Sequence, residues 1–279
     1  MTISSFIASV TSIEGQTLAD ALDILDKVFD ISKEKIGSDP KKKIDSCKAD
    51  EVLKRLKDGE PSTYICGVID FAGARVRVSP PLLIPRPETE QMVQEVIEDL
   101  KNRGVNPQRI LDICTGTGCM GLALAKAFPE ARVLGTDISA IALETARRSA
   151  EGNQLTNIEF TKQNFLEGIS ERYDLVISNP PYIPLGDRVD AYMEDPLALF
   201  SGEDGLDAMR QIASRLFEVL NPDGLAVFEI YPGNARAVVE LVTDAAKKFV
   251  IQGYDISIRK DLSGKDRYVW IYLRSEKQD

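Results

Sequence analysis

The sequence predicts an α/β protein: a doubly wound, seven-stranded sheet preceded by a smaller helical domain and joined to it by a β-hairpin. Three observations carry this. Short β-branched runs alternate with helical stripes from residue 109 onward, a glycine loop follows the first of these runs, and no period-2 pattern appears before residue 62. Strands separated by helices pair in parallel and take helices on both faces.

The amino-terminal part is helical by its spacing. Ile3, Phe6, Ile7 and Val10 form a short apolar stripe, and Leu18, Leu22, Leu25 and Phe29 form another opposite Asp20, Asp23 and Asp26. Val52, Leu53 and Leu56 form a third, closed by Gly59 at a C′ position. The domain boundaries expected are 1–60 for the helical domain, 61–84 for a hairpin linker and 85–279 for the α/β domain. Within the linker, Val68, Ile69, Phe71, Val76 and Val78 surround Gly67 and Gly73, as in a hairpin. Four prolines then hold residues 80–87 extended until a helix starts at Glu88 and runs through Val93, Val96, Ile97 and Leu100.

The α/β part opens with a strand at 109–114, the loop Thr115-Gly116-Thr117-Gly118 and a helix through Met120, Leu122 and Leu124. The next strand, 132–136, ends at Asp137, roughly 20 residues beyond the loop, where an acidic residue takes a ribose hydroxyl pair. Asp137 also suits the N-cap of the helix at 140–152. Strands follow at 157–161 and 173–177, then a helix around 209–220 closed by Asn221-Pro222-Asp223-Gly224, a strand at 225–230, a helix at 234–249, and a final strand pair at 254–258 and 268–273.

Composition narrows the function classes. The 279 residues are 43% hydrophobic and 28% charged, enough for one large core and a smaller companion. The chain starts without the basic region and apolar run of a secretory signal, and no stretch approaches the roughly 20 apolar residues of a membrane span, so a cytoplasmic protein is expected. Four cysteines without Cys-x-x-Cys spacing and the absence of histidine weaken disulfide, zinc and catalytic-triad chemistries. A net charge of −10 disfavours a partner held mainly through phosphates.

The strand at 173–177 runs into Ser178-Asn179-Pro180-Pro181-Tyr182. Two prolines end the strand in a stiff turn whose carbonyls lack local N–H partners. Gly116, Gly118 and Gly121 match a dinucleotide fingerprint, a weak pattern alone. A hydride-transferring enzyme has no use for a proline-stiffened carbonyl at the fourth strand, whereas an amide-methylating enzyme does.

At these residues the chain resembles the HemK/PrmC type of S-adenosylmethionine-dependent methyltransferase, which methylates a glutamine side-chain nitrogen in peptide chain release factors. The resemblance runs from about residue 59 to 274 in ordered blocks: Gly59-Glu60-Pro61, residues 83–90, 112–118 and 179–182, Glu194-Asp195-Pro196 with 202–207, and 260–267. It implies a methyltransferase sheet, S-adenosyl-L-methionine as cofactor, release factors as protein substrate docked by the helical domain, and no metal, membrane or direct nucleic-acid substrate; a monomer is expected. It implies Asn179, Pro180 and Tyr182 as catalytic, with Pro181 and Arg86 also binding substrate. On the cofactor side it implies Asp112, Cys114, Thr115, Gly116, Thr117, Gly118, Asp137, Asn164 and Phe165, with Asn179 and Glu90 contributing. Three positions depart from the family pattern: Cys114 replaces the loop's first glycine, Asn164 an acidic residue, and Tyr231 a glycine after Glu229-Ile230. Two other readings use the same motifs, an N6-adenine or other nucleic-acid amino methyltransferase gripping a flipped base, and a non-catalytic cofactor- or release-factor-binding module.

Overall fold

The computed structural model describes residues 1–188 and 192–274; residues 189–191 and 275–279 of the predicted α/β domain lie outside the described residues. The chain divides into two compact units, one mainly Met1–Ile69, the other Asp70–Val76 with most of the chain from Pro81 onward.

The first unit carries helices α1 (Ile3–Thr11), α2 (Leu18–Lys27), α3 (Lys33–Ser38), α4 (Ser46–Lys57) and α5 (Ser62–Cys66). Ile3, Phe6 and Val10 of α1 pack with Ala21, Ile24 and Leu25 of α2 and Val52, Leu53 and Leu56 of α4 in a core of their own. The predicted stripe on α2 needs correction, because Leu18 is 54% exposed while Ala21 and Ile24 are fully buried. Leu22, Leu25 and Phe29 of the stripe do pack against this core, and Ala21 and Ile24 rather than Leu18 complete the buried face. Thr17 and Asp20 close the start of α2 with a reciprocal capping box.

The hairpin consists of β1 (Val68–Phe71) and β2 (Ala74–Arg77). Ala72 and Gly73 at its tip have φ of +44° and +83°, the left-handed pair a tight hairpin turn of this twist requires.

The second unit continues with α6 (Pro87–Asn102), β3 (Arg109–Ile113), α7 (Cys119–Ala127), β4 (Arg132–Asp137), α8 (Ala140–Gly152), β5 (Ile158–Lys162), β6 (Tyr173–Ser178), α9 (Asp207–Val219), β7 (Leu220–Glu229), α10 (Ala235–Lys248), β8 (Tyr254–Lys260) and β9 (Asp266–Leu273). The seven-stranded sheet has the order β5-β4-β3-β6-β7-β9-β8. Strands β3 to β7 pair in parallel, and β9 is antiparallel to both β7 and β8. Side chains alternate across a strand: Leu111 joins a core with Met209, Ile212 and Leu216 of α9 and Val238 and Val242 of α10, whereas its neighbour Asp112 meets Gly121 of α7. Helices therefore cover both faces.

One predicted boundary moves. Leu220 belongs to β7 rather than to the preceding helix, pairing with Tyr173 before the register jumps to Leu175↔Leu225. Asn221-Pro222-Asp223-Gly224 is thus a bulge inside the strand. It is pinned where Asn221 Nδ2 donates to Asp174 Oδ1 at 2.7 Å and an Arg172 Nη1–H donates to the Leu220 carbonyl at 2.7 Å.

Candidate active site

The sheet changes direction between β3 and β6: β4 and β5 follow on one side of β3, and β6 and β7 on the other. Such a reversal opens a crevice at the carboxyl ends of the two strands. Ile113 and Ser178, the last residues of β3 and β6, are register partners. The loop starting at Cys114 and the motif starting at Asn179 therefore leave the sheet side by side.

Backbone conformation shapes the loop. Cys114, Gly116 and Gly118 have φ of +57°, +55° and +82°. A side chain at Gly118 is excluded twice, because its Cβ would also lie 2.8 Å from Ala146 Cβ on α8. Asp112 holds the loop from inside the fold, with Oδ2 accepting from the Thr115 hydroxyl at 2.6 Å and the Gly121 N–H at 2.9 Å. Burial pushes its pKa up to about 7. Asp137, at the end of β4, accepts from Gly116 N at 2.8 Å through Oδ2 and from Ser139 N at 2.9 Å through Oδ1. The cap of α8 is Ser139, whose side chain accepts from Ala142 N, so Asp137 does not fill that role. Burial raises the Asp137 pKa and, with the charges of Asp137 and Asp112, raises that of the Cys114 thiol, which stays protonated and is no nucleophile.

A cavity of about 330 Å³ opens here, lined by Cys114, Gly116, Asp137, Asn164, Phe165, Asn179 and Pro181 from among the predicted residues. Leu82, Leu83, Ile138, Asp195 and Leu197 line it as well. Its walls are largely apolar, it carries two carboxylates, and no Lys or Arg is among its lining residues. Phosphates would meet only like charge in such a cavity, whereas a cation with apolar and planar parts is favoured. This lining fits the sulfonium, ribose and adenine of S-adenosyl-L-methionine and disfavours a dinucleotide. Asn164 Nδ2 donates to Glu167 Oε1 at 3.2 Å, which turns its Oδ1 away from that carboxylate.

Other predicted residues lie elsewhere. Asp112, Thr115, Thr117, Gly118 and Pro180 are buried and do not line the cavity. Glu90 Oε1 accepts from the Ala72 N–H at 2.7 Å and so holds the strained hairpin tip. Arg86 is committed to Glu194, donating to Oε1 at 2.8 Å and Oε2 at 2.6 Å, while Ile84 N donates to the same Oε1 at 2.9 Å. Asp195 N donates to the Pro81 carbonyl at 2.7 Å. The proline strap and the Glu194-Asp195-Pro196 block are thereby tied together, which brings Asp195 and Leu197 to the cavity. Both blocks are visible in the sequence; their pairing is not.

Behind Asn179 runs a polar chain that motif reading misses. Asn179 Nδ2 donates to Thr89 Oγ1 at 3.0 Å, the Thr89 hydroxyl donates to Glu229 Oε2 at 2.7 Å, and the Tyr182 hydroxyl donates to Glu229 Oε1 at 2.9 Å. Thr89 and Glu229 are 2% and 1% exposed. The Tyr231 ring centroid lies 6.5 Å from that of Tyr182, and the Tyr231 hydroxyl donates to Asp187 Oδ2 at 2.8 Å.

A seven-stranded sheet of this order, closed by an antiparallel strand and carrying an acidic cavity at its reversal point, defines a methyltransferase of the mixed-sheet class. Residues 89–194 match the Methyltransferase small domain family. The solved ribosomal protein L11 methylase of Lactobacillus delbrueckii subsp. bulgaricus shares the fold with a TM-score of 0.52 at 21% identity, over 72% of this chain and 86% of that one. The release factor glutamine methyltransferase of Deinococcus radiodurans is 35% identical over 240 residues, covering 85% of this chain and 81% of its own length. That of Koribacter versatilis is 38% identical over 202 residues, covering 70% and 71%. The chain belongs to the release factor glutamine methyltransferase family.

Proposed function

We propose that this chain transfers a methyl group from S-adenosyl-L-methionine to the side-chain amide nitrogen of a glutamine in a peptide chain release factor. The observation that carries the reading is Asn179, which lines the cavity with its Nδ2 committed to Thr89 and its Oδ1 without a partner among the described residues. An acceptor held at that strand end suits an incoming amide N–H.

An amide nitrogen is a poor nucleophile because its lone pair is delocalised, so positioning supplies much of the rate. When bound, S-adenosyl-L-methionine supplies the electrophilic sulfonium methyl. Asn179 Oδ1 and the Pro180 carbonyl each accept one N–H of the glutamine amide and aim its nitrogen at the cavity. Fixed before reaction, these acceptors also stabilise the positive charge that develops on the nitrogen. The Tyr182 ring lies along the amide plane, and the proton departs after transfer, which needs no histidine. On the cofactor side, Asp137 would hold the ribose hydroxyls with its remaining lone pairs, Asn164 Oδ1 would take the adenine amino group, and Phe165 would pack against the base. The helical unit docks the release factor, and the enzyme acts as a cytoplasmic monomer.

Incubation with release factor and S-adenosyl-L-methionine, followed by peptide mass spectrometry, tests the reading. One added methyl on a glutamine is expected; an unmodified release factor at saturating cofactor overturns it.

A further inference from the structure

An asparagine amide presents an acceptor on one side and a donor on the other, and a half-turn about its last bond exchanges them. For a residue meant to receive an N–H, that half-turn replaces an acceptor with a competing donor. Something must select one of the two orientations. Neither Pro180 nor Pro181 has an N–H to do so.

We propose that Thr89 and Glu229 are positioning residues that fix which way the Asn179 amide faces. The proposal rests on the reading above of Asn179 as the acceptor of the substrate amide. The direction of each hydrogen bond follows from the one behind it. A carboxylate only accepts. Both Glu229 oxygens receive a hydroxyl, from Thr89 at 2.7 Å and from Tyr182 at 2.9 Å. Thr89 has one proton, and donating it to Glu229 leaves its oxygen able only to accept from Asn179. The Asn179 NH₂ must therefore face Thr89, at 3.0 Å, and Oδ1 must face the other way. The reverse orientation would set two acceptor oxygens against each other, with no donor between them.

The parts come from separated stretches. Thr89 stands in the first turn of α6, Glu229 ends β7, and Asn179 and Tyr182 follow β6. Burial raises the Glu229 pKa and the Glu88 charge adds to the rise, while the Thr89 and Tyr182 donors and the Arg267 charge favour the carboxylate. The same carboxylate also receives Tyr182, so a single group orients two residues of the motif.

Steady-state kinetics with release factor and S-adenosyl-L-methionine on wild type, Thr89→Val, Thr89→Ser and Asn179→Ala tests this. Valine keeps the shape of threonine without the hydroxyl. Thr89→Val should lower kcat about tenfold while the cofactor KM stays within twofold, and Thr89→Ser should recover at least half of the wild-type kcat. A Thr89→Val kcat within twofold of wild type, or a serine variant as slow as the valine one, overturns the proposal.

A second readout does not depend on activity. The NMR signals of the Asn179 side-chain NH₂, recognised by their loss in Asn179→Ala, should show contact with the Thr89 methyl and slow exchange with water. In Glu229→Gln, which also serves if Thr89→Val does not fold, that exchange should become faster, because a glutamine amide no longer forces Thr89 to donate. Wild-type NH₂ protons that exchange freely and lack the Thr89 contact overturn the proposal even if the wild type methylates release factor. A wild type that shows the contact but leaves release factor unmethylated overturns the proposed function and not the orientation of Asn179.

Discussion

The Ser178 hydroxyl donates to the Ile113 carbonyl at 2.6 Å, joining the last residues of the two strands between which the sheet reverses. Both loops that build the cavity start one residue later, so this bond reinforces the strand pairing at the point where they leave the sheet. Ser178 is fully buried. Ser178→Ala removes a buried hydrogen bond worth about 1 kcal/mol and loosens the tie between the two strand ends. Urea unfolding should show a lower midpoint with an unchanged slope, and calorimetry should show weaker binding of S-adenosyl-L-methionine. A variant with both quantities at wild-type values contradicts this role.

Asn179 and Asp137 line the same cavity but should fail differently. Asn179→Ala removes the acceptor proposed to act as charge develops, and losing one such preorganised group costs roughly 10²–10³ in kcat. Its cofactor affinity should stay within about threefold. Asp137→Ala removes the carboxylate proposed to hold the ribose hydroxyls and also releases Gly116 N; hydrogen bonds to a charged group are worth about 1.5–3 kcal/mol. Cofactor affinity should therefore fall by at least tenfold. Titration calorimetry beside single-turnover rates separates the two effects, and equal losses in both variants would contradict the division of roles.

Cys114 occupies a left-handed conformation, φ +57°, without being glycine. That conformation costs a residue with a Cβ about 1–2 kcal/mol, offset in part by the greater freedom of glycine in the unfolded chain. Comparing Cys114→Gly with Cys114→Ala isolates the backbone, since both remove the thiol. The glycine variant should be more stable by about 1 kcal/mol in thermal or urea unfolding. An alanine variant at least as stable as the glycine one removes backbone strain from the account.

Asp112 should make stability fall as pH rises. Its pKa is pushed up to about 7 in the folded state, against about 3.9 for an unperturbed aspartate. Between those values the folded chain holds a proton that the unfolded chain has lost, so unfolding free energy declines from about pH 4 to 7 and is level above. Asp112→Asn cannot titrate and should lose this slope. The gap between the two proteins should shift in the variant's favour by a few kcal/mol across that range. Parallel pH–stability curves would show that Asp112 is not the group responsible.

The legible parts of this protein are local ones. β-branched runs and helical stripes, each within about ten residues, mark the strands of the sheet, and Asn179-Pro180-Pro181-Tyr182 and the Gly116 loop are contiguous motifs whose chemistry stands in their own residues. The positions of Gly118 in a left-handed turn and of Asp137 at a strand end are likewise legible, because such backbone features leave marks on single residues. The predicted face of α2 holds at Leu22, Leu25 and Phe29 and fails at Leu18 for the converse reason. Which side of a helix is buried depends on the helices beside it, and Ala21 carries too little hydrophobicity to reveal the face it occupies.

The rest depends on residues far apart in the chain. Thr89, Glu229 and Tyr182 meet only because α6, β7 and the end of β6 converge, and Arg86 finds Glu194 across 108 positions. A polar side chain in a sequence does not declare whether it will end in a cavity, on a backbone N–H as Glu90 does, or in a half-buried ion pair as Arg86 does. Burial decides this, since a buried donor or acceptor must find its partner among whatever groups the fold brings near. The strand order, the cavity's lack of cations and the direction of the Asn179 amide are all consequences of that packing.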